Sequence, residues 1–283
     1  MILGMTDTDR ELVLWAGCVA SHGLLGSAEA VAAGGFHATS VASPDLVAFE
    51  RDGGSLRDLA GRMRDAGGPL TILDSFATWY PGEAAGDGEA TPGDMLRFAE
   101  ELGARSMTMN TPYGRAPSPA EEVVDALGRF ADRAAQLGVL VHLEQIPTSV
   151  VPALPTAWDI VRAVDRPNAG LVLDTFHLAR AGCTPADLAA LDPAKVFHVQ
   201  LCDGPLTPRV PDYYEEAVTF RDFAGEGEMP IAELAGALAD IGALGHVGPE
   251  VFMAALDAMT PAQAGRVCRE RTDAFLEAVY RRS

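Results

Sequence analysis

The chain reads as an α/β protein, a single (β/α)8 TIM barrel, and three observations predict it. Apolar, often β-branched runs alternate with amphipathic stretches eight times along the 283 residues. The stretches between the runs carry helix start and stop signals. Polar residues stand where several runs give way to a loop or helix, as they would at one rim of a barrel of parallel strands.

The runs, in order, are LVLWAGCV (12–19), FHATSV (36–41), LTILDSF (70–76), SMTMN (106–110), VLVHLEQ (139–145), GLVLDTF (170–176), VFHVQLC (196–202) and HVGPEVF (246–252). Five intervening stretches open with a hydroxyl residue and proline: Ser43-Pro44, Thr91-Pro92, Ser118-Pro119, Thr184-Pro185 and Thr260-Pro261. The hydroxyl is expected to cap the free N–H groups of the first turn, and proline at the first helical position loses no hydrogen bond. Gly103 and Gly138 follow helix-like runs, as left-handed stop residues do. In residues 118–138, Val123, Val124, Leu127, Phe130, Ala131, Ala134 and Leu137 recur at three- and four-residue steps and form one apolar face. A doubly wound open sheet is the rival architecture. It would show a glycine-rich nucleotide turn after the first strand, and AGCVASHGLLGSAE lacks the GxGxxG spacing. The barrel is expected to fill 1–283 as one domain, with long rim loops at about 77–93 and 203–230. Loops of that length in a compact domain are usually functional.

Hydrophobic residues make up 48%, enough for a sizeable core. The formal charge of −19 opposes polyanions, so neither nucleic acid nor an anionic membrane is an expected partner. Cys18, Cys183, Cys202 and Cys268 are scattered and form no CxxC pair, so a zinc site or disulfide framework is not expected. Charges within MILGMTDTDRE argue against a signal peptide, and no run of about 20 apolar residues exists to span a bilayer. A cytoplasmic location is the expectation.

Glu144, Asp174, Gln200 and Glu250 end the fifth to eighth runs. Converging at one rim, three carboxylates would repel one another unless a cation neutralised them. No basic residue stands within three positions of Glu144, Asp174 or Glu250, which weighs against simple salt bridges. Three carboxylates and an amide oxygen are hard donors. They suit a divalent metal, Mn²⁺ or Mg²⁺ first and Co²⁺ next, rather than Zn²⁺. His198 precedes Gln200 by two positions and is expected in the core one layer deeper, with a ligand role as the alternative. His142 shares a face with Glu144 and is read as a core or supporting residue. His177 lies three residues after Asp174, on the same side if a helix starts there, and is a candidate to bind substrate. Arg221 offers a planar fork to an anionic or polyhydroxy substrate.

These residues together resemble the xylose isomerase-like TIM-barrel superfamily. The pattern is a Glu ending strand five, DxxH at 174–177, HVxLxD at 198–203, Arg221 before a GEG turn at 225–227, and a Glu ending strand eight. Its members include sugar isomerases and epimerases, inosose and hydroxypyruvate-type isomerases, 3-dehydroshikimate dehydratases and endonuclease IV. The resemblance implies metal ligands at Glu144, Asp174 and Glu250, a substrate-contacting His177, and a loop arginine at Arg221, although Ala224 replaces the usual proline. Many isomerases have His where this chain has Gln200; the Gln looks more like the dehydratase branch.

The expected chemistry is proton abstraction beside a carbonyl, with Glu144 and Glu250 as acid and base on a small carbonyl or polyhydroxy substrate. The first expectation is an isomerase or epimerase of a sugar, polyol or keto-acid. A lyase of the 3-dehydroshikimate dehydratase or β-eliminating type is the alternative, and a catalytically inactive binding barrel the third reading. Rim loops of such barrels often meet a partner subunit, so a homodimer is a further expectation.

Overall fold

The computed structural model describes residues 10–281. Eight parallel strands close into a barrel in sequence order. They are β1 (Glu11–Leu14), β2 (Ala38–Ala42), β3 (Leu70–Phe76), β4 (Ser106–Met109), β5 (Leu140–Glu144), β6 (Ala169–Asp174), β7 (Val196–Leu201) and β8 (His246–Pro249). Each apolar run of the sequence contributes one strand, and helices occupy the connections. Closure of β8 on β1 needs Gly248: a Cβ there would sit 1.7 Å from the Val13 carbonyl oxygen.

Two runs are shorter as strands than the sequence suggests. The first run leaves the sheet after Leu14, and Ala16–Cys18 forms a 3₁₀ turn in which the Cys18 N–H donates to the Trp15 carbonyl at 3.0 Å. The eighth ends at Pro249, beyond which the Glu250 N–H donates to the Leu201 carbonyl at 3.0 Å. The hydroxyl–proline signals also divide. Thr91, Thr184 and Thr260 cap helices in reciprocal boxes with Asp94, Asp187 and Gln263. Ser43 and Ser118 do not cap. Ser43 lies one position after its helix's N-cap, Ala42, and Ser118 one position before the N-cap Pro119; their hydroxyls donate to the carbonyls of Ser75 at 2.9 Å and Pro81 at 3.4 Å. Gly103 is the left-handed stop of the helix Pro92–Leu102.

The main core lies between the barrel and its ring of helices. A small second core fills the barrel, from Val13, Trp15, Ala38, Ile72 and Val172. His142 and His198 pack in this interior with ring centroids 4.8 Å apart, and His198 meets Trp15 edge-on. His198 Nε2 pairs with the Ser106 hydroxyl at 3.0 Å, so this histidine is a core residue beneath Gln200. Among the described residues no helix is long and apolar enough to cross a membrane.

The two long connections, after β3 and after β7, are anchored rather than loose. Trp79 donates to the Asn110 carbonyl at 2.6 Å, and the Tyr80 hydroxyl accepts from the Ser118 N–H at 2.9 Å. In the second connection the Asp203 carboxylate accepts from the N–H groups of Gly204, Gly225 and Met229. A two-way backbone bridge joins Asp203 and Asp222, and Arg180 pairs with Glu216 at 2.6 Å. These bonds fix the span that carries Tyr213 and Arg221.

Candidate metal centre and active site

Glu144, Asp174, Gln200 and Glu250 all come to the rim where the strands end, and all are buried. Asp174 and Gln200 are register partners across β6 and β7. Asp174 is also the N-cap of the helix Thr175–Arg180: its Oδ1 accepts from the His177 N–H at 3.0 Å. That cap turns His177 inward. Its Nε2 lies 3.6 Å from Glu144 Oε1 and 3.9 Å from Asp174 Oδ2. Its Nδ1 pairs with the Tyr213 hydroxyl at 2.5 Å, which holds the ring plane. Donor atoms of Glu144, Asp174 and His177 lie within 4.8 Å of one another, a spacing that a single cation can bridge.

The expectation that no salt bridge serves these carboxylates is overturned. Arg221 is 4% exposed, and its Nη1 donates to Asp174 Oδ2 at 2.7 Å and to Glu250 Oε2 at 3.1 Å. A search of nearby sequence missed it because it lies 47 positions from Asp174 and 29 from Glu250. Its Nε donates to the Ala217 carbonyl at 2.7 Å. The rings of Phe176 and Phe252 flank the guanidinium at 5.2 and 5.3 Å, fixing it by cation–π contact. Phe252 reaches this place because residue 17 is glycine; a Cβ there would lie 2.8 Å from its ring.

One guanidinium does not balance the group. Burial raises the Glu144 carboxyl well above the ordinary range, and Asp174 and Asp74 raise it further against Arg221. Burial likewise raises Glu250, with Asp74, Asp174 and Glu144 adding to it and Arg221 opposing. Asp174 goes the other way: burial pushes it up, but Arg221, His177 and the His177 N–H together hold it below the usual range. Burial lowers the His177 imidazole to about 4, so it is neutral at pH 7 and can act as a ligand or accept a proton.

The donor set fits a divalent cation. Negative charge exceeds the positive charge of Arg221, and the Gln200 Oε1 is buried without a hydrogen-bond partner. An amide oxygen with no donor, level with a carboxylate, is what a hard cation would satisfy.

The rim opens into a cavity of about 770 Å³, whose lining includes Glu144, His177, Arg221 and Glu250. Asp74 also faces it. The sequence reading missed Asp74, although it follows the apolar run LTIL in β3 as Asp174 follows GLVL in β6. Nothing in the sequence pairs Tyr213 with a histidine 36 positions away.

Residues 28–271 match the model of the xylose isomerase-like TIM barrel family. Over 258 residues the chain is 32% identical to a 3-dehydroshikimate dehydratase of Pseudomonas aeruginosa, a match covering 88% of this chain and 39% of that protein. Over 153 residues it is 29% identical to an inosose isomerase of Bacillus subtilis, covering 53% of each. The chain thus spans well under half of the dehydratase. Among solved structures, the IOLI protein, crystallised with a binding zinc atom, superimposes with a TM-score of 0.83 at 22% identity over 95% of this chain and 99% of that one. That likeness is one of fold.

Proposed function

The chain belongs to the xylose isomerase-like TIM-barrel family, and from that premise we propose that it is a divalent-metal-dependent enzyme that moves a proton beside a carbonyl group. The first reading is an isomerase or epimerase of a sugar, polyol or keto-acid. The observation that carries it is the buried group of Glu144, Asp174 and His177, with donor atoms within 4.8 Å, beside Glu250 and the partnerless Gln200 oxygen.

Glu144, Asp174, Gln200 and Glu250 would hold the ion, with His177 close enough to join or replace one of them; Mn²⁺ or Mg²⁺ suits this oxygen-rich set best. When bound, the ion supplies Lewis-acid polarisation of a carbonyl oxygen. The chain supplies the rest. Burial makes Glu144 and Glu250 stronger bases than ordinary carboxylates. They stand on β5 and after β8, three staves apart, so a substrate carbon between them can lose a proton to one and regain it from the other. His177, steadied by Tyr213, would hydrogen-bond a substrate oxygen, and Arg221 would hold Asp174 and Glu250 in place while its remaining N–H groups meet the substrate.

A lyase is the second reading. Gln200 favours it, as does the identity to a 3-dehydroshikimate dehydratase. Proton loss by the same base followed by departure of a β-hydroxyl would give elimination. The two readings part in one experiment: solvent deuterium wash-in with ketoses and inososes, beside ultraviolet detection of aromatisation of 3-dehydroshikimate, each with Mn²⁺ and with EDTA. Wash-in without elimination supports the isomerase, and aromatisation supports the lyase. Activity indifferent to EDTA would overturn the metal in both.

A further inference from the structure

Outside the ligand cluster the cavity wall is acidic. Asp45, Asp74, Glu83, Glu89, Glu144 and Glu250 line it, and the basic side chain among the lining residues is Arg221. A divalent cation with Arg221 would balance Glu144, Asp174 and Glu250. Glu83 is paired with Arg115. Asp74 remains at the wall, with Asp45 and Glu89 more exposed. Asp74 is half-buried at the end of β3 and forms no ion pair among the described residues. Its oxygens accept from the Ser75 N–H at 3.0 Å and the Ser40 hydroxyl at 3.3 Å. Carboxylate oxygens accept several hydrogen bonds each, so capacity is left for a ligand.

A carboxylate or phosphate entering this space would face Asp74 across the cavity, and like charges so placed reject a ligand. Arg221 already serves as counter-ion to Asp174 and Glu250 through its Nη1, so its charge does not cancel that of Asp74. Hydroxyl groups meet the opposite situation, because they donate to carboxylates. Phe76, Ile146 and Phe252 supply apolar wall for a carbon skeleton.

We infer that Asp74 is a specificity-determining residue and that the substrate is an uncharged polyhydroxy carbonyl compound, with a hydroxyl donating to Asp74, rather than an acid anion or phosphate ester. This rests on the reading of the site as a metal-dependent carbonyl enzyme and narrows both of its versions. It runs against the sequence relative of highest identity quoted above, whose name denotes an acid substrate.

The test compares two probes that share a ring and differ in charge: shikimate and its methyl ester. Each is titrated by calorimetry into Mn²⁺-loaded and metal-free protein. The ester is expected to bind, and the anion to bind at least about tenfold more weakly, a factor worth about 1.4 kcal/mol. Asp74→Asn is expected to shrink that gap to about threefold or less, in Mn²⁺-loaded and in metal-free protein alike. Equal binding of anion and ester to the unaltered protein, or no binding of the ester, overturns the inference. A gap that survives in Asp74→Asn removes the role of Asp74. Mn²⁺ titrated alone reports on the metal reading by itself. The order of the two probes is expected in metal-free protein too, because Asp74 belongs to the chain, so the two ideas can fail separately.

Discussion

Removing the charge of Arg221 is the sharpest probe of how this centre is held together. Arg221→Met keeps an unbranched apolar stem but takes the guanidinium from between Phe176 and Phe252 and leaves Asp174 and Glu250, 1% and 6% exposed, without their shared cation. Breaking a buried ion pair from one side costs about 3–5 kcal/mol. A chain of this size has an unfolding entropy of about 0.6 kcal/mol per degree, so the metal-free variant should melt about 5–8 °C lower. The sign with pH is fixed as well. Glu144 and Glu250 already have raised folded pKa values, and loss of Arg221 raises them more. The folded state then binds more protons than the unfolded chain, so stability falls as pH rises through the folded values. The deficit should therefore be larger at pH 8 than at pH 5. Mn²⁺ replaces the missing charge. At a hundredfold excess over the parent's Kd, binding adds about 2.7 kcal/mol; the uncompensated carboxylates of the variant should bind Mn²⁺ more tightly, each tenfold adding about 1.4 kcal/mol at that same concentration, so the variant should gain more in melting temperature than the parent. Differential scanning calorimetry in EDTA and in Mn²⁺, at both pH values, measures all of this. A metal-free variant melting within about 1 °C of the parent would refute the reasoning.

Three more outcomes follow from the same geometry. Glu144→Gln and Glu250→Gln should each lower proton exchange about 10²–10⁴-fold with an unchanged circular dichroism spectrum, and full exchange in either removes that residue from acid–base work. Burial holds the His142 imidazole down to about 3, with both ring nitrogens unbonded. The unfolded chain protonates it near pH 6.5 while the folded chain does not, so stability is lost as pH falls below that value, roughly 2 kcal/mol from this group by pH 5. Urea unfolding at pH 7 and pH 5 should show a smaller loss in His142→Phe; an identical loss would acquit His142. Tyr213→Phe frees His177 Nδ1, and its substrate affinity should fall several-fold with Mn²⁺ affinity kept, whereas unchanged binding of substrate would leave the pair without a positioning role.

What the sequence disclosed depended on range. Strands and helices are local, and the eight apolar runs each deliver one stave of the barrel. The strand-end pattern also carried Glu144, Asp174, Gln200 and Glu250 to one rim, because parallel staves in sequence order must end on the same side. Asp74 is equally legible, since it follows the apolar run LTIL of β3 as Asp174 follows that of β6. Arg221 was noticed, but as a substrate contact; its bonds to Asp174 and Glu250 depend on a loop folded by Asp203 and on two aromatic rings that no local pattern connects. The serines before Pro44 and Pro119 do not cap because the two helices begin one residue away from the expected place, with Ala42 and Pro119 at the N-cap positions.

Gln200 shows how the two ranges meet in the chemistry. A histidine at that position could offer either ring nitrogen to a neighbour, as His198 offers Nε2 to Ser106 one layer below. An amide oxygen has no proton to rearrange. Buried with no donor beside it, and level with a carboxylate whose own charge is already shared with Arg221, it stabilises the fold only when something cationic arrives. Gln200→Leu should then leave the metal-free protein as stable as the parent or slightly more so, since it removes an unsatisfied polar atom, while weakening Mn²⁺ binding about tenfold or more. Calorimetric titration of Mn²⁺ beside thermal melts in EDTA separates the two effects. Unaltered metal affinity together with a loss of metal-free stability would mean that the glutamine serves packing alone.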